Sequence, residues 1–169
     1  MQKQIFILDA SAIIGGFYSK KEANFTTNNV IQEIKDLKSS ILLESAIEKG
    51  FIKIREPDEK DIKEIDAIIK DSGDILRLSN VDKNIIALAL KYKKKGFKPL
   101  VITDDYSIQN TLKTININYM SVLTNGIDEV INWVKKCKGC KKIYPSDYHY
   151  EDCEICGSPI FKKKIKIKK

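Results

Sequence analysis

The residues of this sequence able to do chemistry are acids placed at the ends of apolar runs or the starts of helices, and two pairs of cysteines. Asp9 follows Ile5-Phe6-Ile7-Leu8, and Asp104-Asp105 follow Leu100-Val101-Ile102-Thr103. A short, fully apolar run reads as a central strand of a parallel sheet. In open α/β sheets, ligands bind beyond the carboxyl ends of such strands. Glu33 and Asp82 read as lying in the first turns of helices, which start at the same sheet edge when crossovers are right-handed. Clustered carboxylates repel one another and resist burial unless a cation compensates them. Hard oxygen donors suit Mg²⁺ or Mn²⁺. Each acid but one also has a plain structural role open to it: Asp82 and Glu33 as charges on a helix N-terminus, Asp104 as an N-cap. Asp9 has none, since an ionised residue closing an apolar strand has no cap to provide.

The cysteines stand as Cys137-Lys138-Gly139-Cys140 and Cys153-Glu154-Ile155-Cys156, with twelve residues between the pairs. Four thiolates so spaced can close a tetrahedron around Zn²⁺. Gly139 and Gly157 suit the tight turns that bring backbone amides to sulfur. No cysteine falls in the first 136 residues, which fits a reducing compartment and needs no disulfides. His149 and Tyr144, Tyr148 and Tyr150 lie between the pairs. Beside them stand Lys135, Lys136, Lys138, Lys141 and Lys142, and beyond them Lys162, Lys163 and Lys164 in a tail with six lysines. Rings interleaved with cations can stack on unpaired bases, so these lysines with Tyr148 and His149 are the expected RNA contacts. Some of the tyrosines are equally expected to fill the small core of the module.

The charge distribution points the same way. Residues 1–132 balance 19 basic against 19 acidic side chains, while residues 133–169 hold 11 lysines and four acids, the whole of the +7 excess. A basic module on a neutral domain favours a polyanionic partner through counterion release. No apolar run is long enough to cross a bilayer, and the first residues lack a secretory pattern, so a cytoplasmic location is expected.

The elements needed to position these groups alternate along the chain. Strands are expected at 5–8, 51–55, 100–102 and 119–123. Between them come a first helix ended by Gly15 and Gly16, and one long amphipathic helix on Val30, Ile34, Leu37 and Ile41, closed by Gly50. A further helix starts at Pro57-Asp58 with Ile62, Ile65 and Ile69 on one face. Ser79-Asn80-Val81-Asp82 opens another as a capping box with Asp in place of Glu, and a last helix is expected at 127–134. This is an α/β fold, a parallel sheet with helices on both faces, followed by a small C-terminal zinc ribbon. The divisions expected are 1–132, 133–160 for the ribbon and 161–169 for the basic tail.

Asp9-Ala10-Ser11 closing the first strand, the helix carrying Glu33, Leu78-Ser79-Asn80-Val81-Asp82 and Val101-Ile102-Thr103-Asp104-Asp105 together resemble a PIN-domain nuclease over residues 1 to about 132. The resemblance implies that Asp9, Glu33, Asp82 and one of Asp104 and Asp105 are catalytic metal ligands. Thr-x-Asp in that family matches Asp105, while Asp104 is acidic too, so both stay candidates. Ser11 and Thr103 match supporting hydroxyls near the metal. A PIN domain running into Trp-Val-Lys-Lys-Cys-Lys-Gly-Cys is similar to the archaeal ribosome-assembly endonucleases that mature the 3′ end of small-subunit rRNA. By that resemblance the substrate is precursor rRNA in a pre-ribosomal particle, with other assembly proteins nearby. Two alternatives stand beside it: a toxin-like PIN ribonuclease acting on tRNA or mRNA, and a non-catalytic RNA-binding assembly factor.

Overall fold

The computed structural model describes residues 2–72, 78–122 and 130–167. Five strands, β1 (Gln4–Leu8), β2 (Ala23–Thr26), β3 (Ile52–Ile54), β4 (Lys98–Ile102) and β5 (Asn118–Met120), form one sheet in the order β3-β2-β1-β4-β5. Every pairing in it is parallel. The chain steps outward from β1 to β2 and β3, then crosses back to lay β4 on the other side of β1. That reversal between β1 and β4 is where a parallel sheet opens a cleft beyond its strand ends. The helices are α1 (Ala10–Ile14), α2 (Asn28–Glu33), α3 (Leu37–Glu48), α4 (Glu59–Ser72), α5 (Asn80–Lys94) and α6 (Tyr106–Thr114). α1 packs with α2 and α3, and α5 packs with α4 and α6, so the helices fall into two groups.

Burial explains the ordering. Ile5, Ile7 and Leu8 on β1 and Val101 and Ile102 on β4 are inaccessible, the signature of strands covered on both faces. In α5 all six residues from Ile85 to Leu90 are buried, because that helix touches β1, β4, α4 and α6. Salt bridges from Lys91 to Asp58, Lys83 to Asp66 and Lys94 to Asp61 and Glu64 line the α4–α5 contact. Among the described residues no helix is long and apolar enough to cross a membrane.

Several expectations need correction. The long helix after Thr27 is two helices. Ile34 leaves α2 with extended backbone, and the Asp36 side chain starts α3 afresh by accepting the Ser39 amide. Leu37 and Ile41 are consequently exposed, and Leu43 and Ala46 make the buried contacts instead. Glu33 closes α2 and does not lie in the first turn of a helix. β2 escaped the sequence reading: it is four residues long, and its buried Asn24 and Thr26 are polar. Asn24 earns its place by donating to the carbonyls of Ser19 and Phe51, tying the turn before β2 to the start of β3.

The helix expected at 127–134 is contradicted from Val130 onward, where β6 (Val130–Cys137) begins; residues 127–129 lie outside the described residues. β6 pairs antiparallel with β7 (Ile143–Tyr144) and, over eight residue pairs, with β8 (Ile160–Ile167). Val130, Ile131, Val134, Ile165 and Ile167 suit extended structure, since β-branched side chains lose less in a strand than in a helix. The described part of the tail is therefore a strand, and this second sheet spans residues that the sequence reading divided among three segments. The strand expected at 119–123 also runs partly outside the described residues; within them, Tyr119 and Met120 lie in β5.

Candidate functional site

Asp9 stands at the end of β1, where its amide donates to the Ile102 carbonyl of β4 at 3.1 Å. It occupies the N-cap position of α1, yet its side chain makes no capping bond. The buried carboxylate turns to hydroxyls instead: Oδ2 accepts from Thr103 Oγ1 at 2.7 Å and from Ser11 Oγ at 3.4 Å. Thr103 Oγ1 also accepts the Asp105 amide at 3.1 Å, and Ser11 Oγ accepts the Asp104 amide at 3.0 Å. Both hydroxyls thus hold the turns after β1 and β4 in one register.

The helix-start acids serve two ends at once. Asp82 completes a capping box, its Oδ2 accepting the Ser79 amide at 2.7 Å while its own amide donates to Ser79 Oγ at 3.2 Å. Asp105, and not Asp104, caps α6, with Oδ1 accepting from the amides of Ser107 and Ile108. A carboxylate has two oxygens, so one can cap while the other binds a ligand.

Electrostatics places the four acids within reach of each other. Asp9 is held above the usual carboxylate range by burial, opposed by the Thr103 hydrogen bond, and pushed further by the charges of Asp82 and Asp105. Glu33, at the exposed end of α2, is raised by desolvation and by the charges of Asp82 and Asp9. Asp82 is raised by desolvation, against the Ser79 bonds, and by Asp105. Among the described residues none of the four is in a salt bridge. Acids near enough to feel one another's charge, with no ion pair among the described residues, have the donor chemistry for a divalent ion. Their oxygens are not packed into one tight shell as the sulfurs described below are, and Mg²⁺ commonly keeps several waters between itself and such ligands.

Sequence reasoning assigned no role to Gln109. It is fully buried, and its Nε2 donates to Thr103 O at 2.9 Å and Ser121 Oγ at 3.0 Å. The available signal was a polar run, Gln109-Asn110-Thr111, set between Ile108 and Leu112 on one helix; such residues are buried only where hydrogen bonds await them. Thr103→Val is expected to raise the Asp9 carboxyl further, because the bond lost favours its charged form. It is also expected to cost about 1 kcal/mol through the lost bond to the Asp105 amide, since Asp105 is exposed and water can replace the hydroxyl. An NMR titration of the Asp9 carboxyl with parallel denaturation checks both, and an unmoved Asp9 would contradict the bond.

At the end of β6 the four sulfurs of Cys137, Cys140, Cys153 and Cys156 lie within 4.8 Å of one another. Cys137 and Cys156 stand 3.4 Å apart, Cys140 and Cys153 3.5 Å. The Gly139 amide approaches Cys137 Sγ at 3.3 Å; a Cβ on Gly139 would meet Ser158 Oγ at 2.4 Å, so a larger residue would force Ser158 to move. The thiols divide their protons. Bonds from Ser158 lower Cys156 to about 5, and a Tyr144 bond lowers Cys153. Although the Lys142 amide favours its thiolate, Cys140 is pushed up to about 11 by the neighbouring sulfurs. Four cysteine sulfurs this close could hold a metal ion as thiolates, and an all-sulfur set suits zinc.

Of the expected RNA contacts, Lys138, Lys141, His149, Lys162 and Lys163 are exposed and Lys135, Lys136, Lys142 and Tyr148 half-buried; the Lys164 side chain lies outside the described residues. Lys135 Nζ donates to Tyr148 O at 2.5 Å, Lys141 Nζ to Lys138 O at 2.6 Å, and Lys142 pairs with Glu154. Tyr144 is core, Tyr148 packs against it with ring centres 4.1 Å apart and planes tilted by 34°, and Tyr150 is exposed. The cysteine module also touches the nuclease-like part: Lys70 pairs with Asp147 at 3.5 Å, and Ser146 Oγ donates to Lys70 O at 3.0 Å.

Residues 6–92 match the model of the PIN domain of ribonuclease. The chain is 46% identical to Endoribonuclease Nob1 of Methanothermobacter thermautotrophicus over 158 residues, covering 94% of this chain and 92% of the relative. The chain belongs to the Nob1 family of PIN-domain endoribonucleases. Endoribonuclease Nob1 of Methanocaldococcus jannaschii is 38% identical over 96% of this chain and 79% of its own length. Ribonuclease VapC1 of Thermoplasma acidophilum is 32% identical over 92% of this chain and 76% of its length. That last match extends beyond residue 132, so the C-terminal module does not by itself separate relatives bearing the two names. Membership in the Nob1 family makes the chain an endoribonuclease with RNA as substrate. PIN nucleases of this kind depend on divalent metal.

Proposed function

We propose that this endoribonuclease cleaves precursor small-subunit rRNA at its 3′ end, in the cytoplasm and within a pre-ribosomal particle. Asp9, Glu33, Asp82 and Asp105 would hold the catalytic Mg²⁺ or Mn²⁺. The carrying observation is that Thr103 joins the Asp9 carboxylate and the Asp105 amide across the β1–β4 reversal, with the charges of Asp82 and Glu33 felt there and no salt bridge to any of the four among the described residues. A cation there supplies activation of water and compensation of charge on the leaving oxygen. The chain's own residues supply position: Thr103 and Ser11 fix the Asp9 carboxylate, Ser79 fixes Asp82, and the α6 amides fix Asp105. Cys137, Cys140, Cys153 and Cys156 would hold structural Zn²⁺. The lysines at 135, 136, 138, 141, 142 and 162–164, with Tyr148 and His149, would track phosphates and bases. The rRNA assignment is supported by Nob1 relatives that align over more than nine-tenths of this chain.

The test is cleavage of an end-labelled RNA spanning the small-subunit 3′ boundary with Mn²⁺ or Mg²⁺, comparing the native chain with Asp9→Asn. Discrete cutting at the boundary, lost in the variant, is expected. Metal-dependent cutting confined to tRNA or mRNA would replace the substrate with that of the toxin-like reading. Binding without any cleavage, unchanged in Asp9→Asn, would leave an RNA-binding assembly factor.

A further inference from the structure

The two adjacent acids after β4 do different work. Asp105 caps α6 and faces the charges of Asp9 and Asp82. Asp104 reaches the other way. Its Oδ1 accepts the Val122 amide at 3.1 Å, just past β5, and β5 is the edge strand on the far side of β4 from β1. The Asp104 amide meanwhile donates to Ser11 Oγ, the hydroxyl that donates to Asp9. Other contacts converge on the same exit. The Thr103 amide donates to Met120 O at 3.0 Å, and Gln109 Nε2 bridges Thr103 O and Ser121 Oγ. Gly15, which closes α1, sits so near Val122 that a Cβ there would come within 2.8 Å of Val122 Cγ1. From Val122 the chain goes on to the second sheet, which begins at Val130.

We propose that Asp104 is a positioning residue: it clamps the exit of β5 to the turns bearing Asp9 and Asp105, and so sets the spacing of the acids. The inference rests on the assignment of Asp9, Glu33, Asp82 and Asp105 as the metal-holding acids, and it assigns the second acid of the pair a different task. The clamp needs an acceptor at Asp104, not a charge. A metal ligand needs the charge. Asp104→Asn therefore keeps the clamp and Asp104→Ala removes it, while Asp105→Asn removes a ligand.

The experiment compares these three variants in the full chain by RNA cleavage against Mn²⁺ concentration and by amide exchange at Val122. Asp104→Asn is expected to cleave within about threefold of the native rate, and Asp104→Ala about tenfold more slowly in kcat with KM and half-saturating Mn²⁺ little changed. Val122 exchange should stay slow in Asp104→Asn and speed up at least about tenfold in Asp104→Ala. Two results would overturn the clamp. One is an Asp104→Asn as inactive as Asp105→Asn, with a raised Mn²⁺ requirement. The other is unchanged Val122 exchange in Asp104→Ala. Exchange is read on the metal-free chain without RNA. A native chain that cuts no RNA would therefore sink the nuclease reading while the Val122 result still decides the clamp.

Discussion

Asp9→Asn is expected to lower RNA cleavage at least about a hundredfold and, in the same protein, to raise the melting temperature of the metal-free chain at neutral pH. The two effects have one cause. Asp9 is 7% exposed and surrounded by the charges of Asp82 and Asp105, with hydroxyls and amides but no cation to offset them. Such a carboxylate costs folding energy when ionised and repays it only when a divalent ion arrives. Asn keeps the oxygen that accepts from Thr103 and Ser11 and removes the charge. A relief of about 1 kcal/mol corresponds to roughly 2–4 °C in a chain of this size. Added Mn²⁺ should then stabilise the native protein by mass action and leave Asp9→Asn nearly unmoved.

The pH dependence follows with a definite sign. Burial and mutual repulsion raise Asp9, Glu33 and Asp82 above their ordinary values of 3.8, 4.5 and 3.8. A carboxyl raised on folding contributes stability below its unfolded value, and that contribution is lost as pH rises through the folded value. Asp36 and Asp58 run the other way. They are lowered by bonds to Ser39 and Lys91, so their contribution is present above 3.8 and disappears as pH falls through their lowered values. The metal-free native chain should therefore gain stability on mild acidification from neutral pH, before the loss at Asp36 and Asp58 sets in. Asp9→Asn should flatten that gain. Calorimetry across the range with and without Mn²⁺ checks it; a variant that melts lower than the native chain at neutral pH and still responds fully to Mn²⁺ would remove Asp9 from the repelling cluster.

What could be read from the sequence was whatever local pattern and tertiary need agreed upon. Asp9 stood out because an apolar strand ended on a charge, and the Ser79–Asp82 capping box is closed within four residues of chain. The cysteines announced themselves by spacing alone. Elements whose reasons lie elsewhere in the fold were harder. β2 is held by pairing to β1 and β3 and by buried Asn24 and Thr26, none of which a window of four residues reveals. The break between α2 and α3 depends on Asp36 capping a helix whose outward face still carries Leu37 and Ile41. β6 was mistaken for a helix because Val130, Ile131 and Val134 fit a helical stripe as well as a strand, and its partner β8 lies thirty residues onward. The different surroundings of Asp104 and Asp105 were likewise invisible in sequence, since which neighbour reaches Val122 and which caps α6 is decided by the fold.

Cys153→Ser is expected to unfold the cysteine module while leaving the five-stranded domain intact. Among the described residues, the cluster packed around Cys137, Tyr144 and Cys153 gains Tyr148 and Ile160 as further apolar cover. So small a core cannot offset the entropy of ordering the loops between the knuckles. A zinc ion held by the proposed four-cysteine site would supply the difference, since structural zinc in small modules contributes about 10–16 kcal/mol of apparent binding energy. Cys153 is a telling sulfur to lose: it is buried, it stands 3.5 Å from Cys140, and the Tyr144 hydroxyl lies 3.0 Å from it. The parallel sheet draws on a separate set of buried residues, from Ile5 to Ile117, so its melting should shift little. Metal analysis should show zinc lost, and exchange mass spectrometry should show 137–159 unprotected beside a protected β1–β4. RNA affinity should fall at least about tenfold, because lysines on an unfolded segment no longer present a fixed array to phosphates. A Cys153→Ser chain that keeps its zinc and its protection would remove the tetrahedral site from this account. One that loses both yet binds RNA as tightly as before would transfer the RNA contacts to the five-stranded domain.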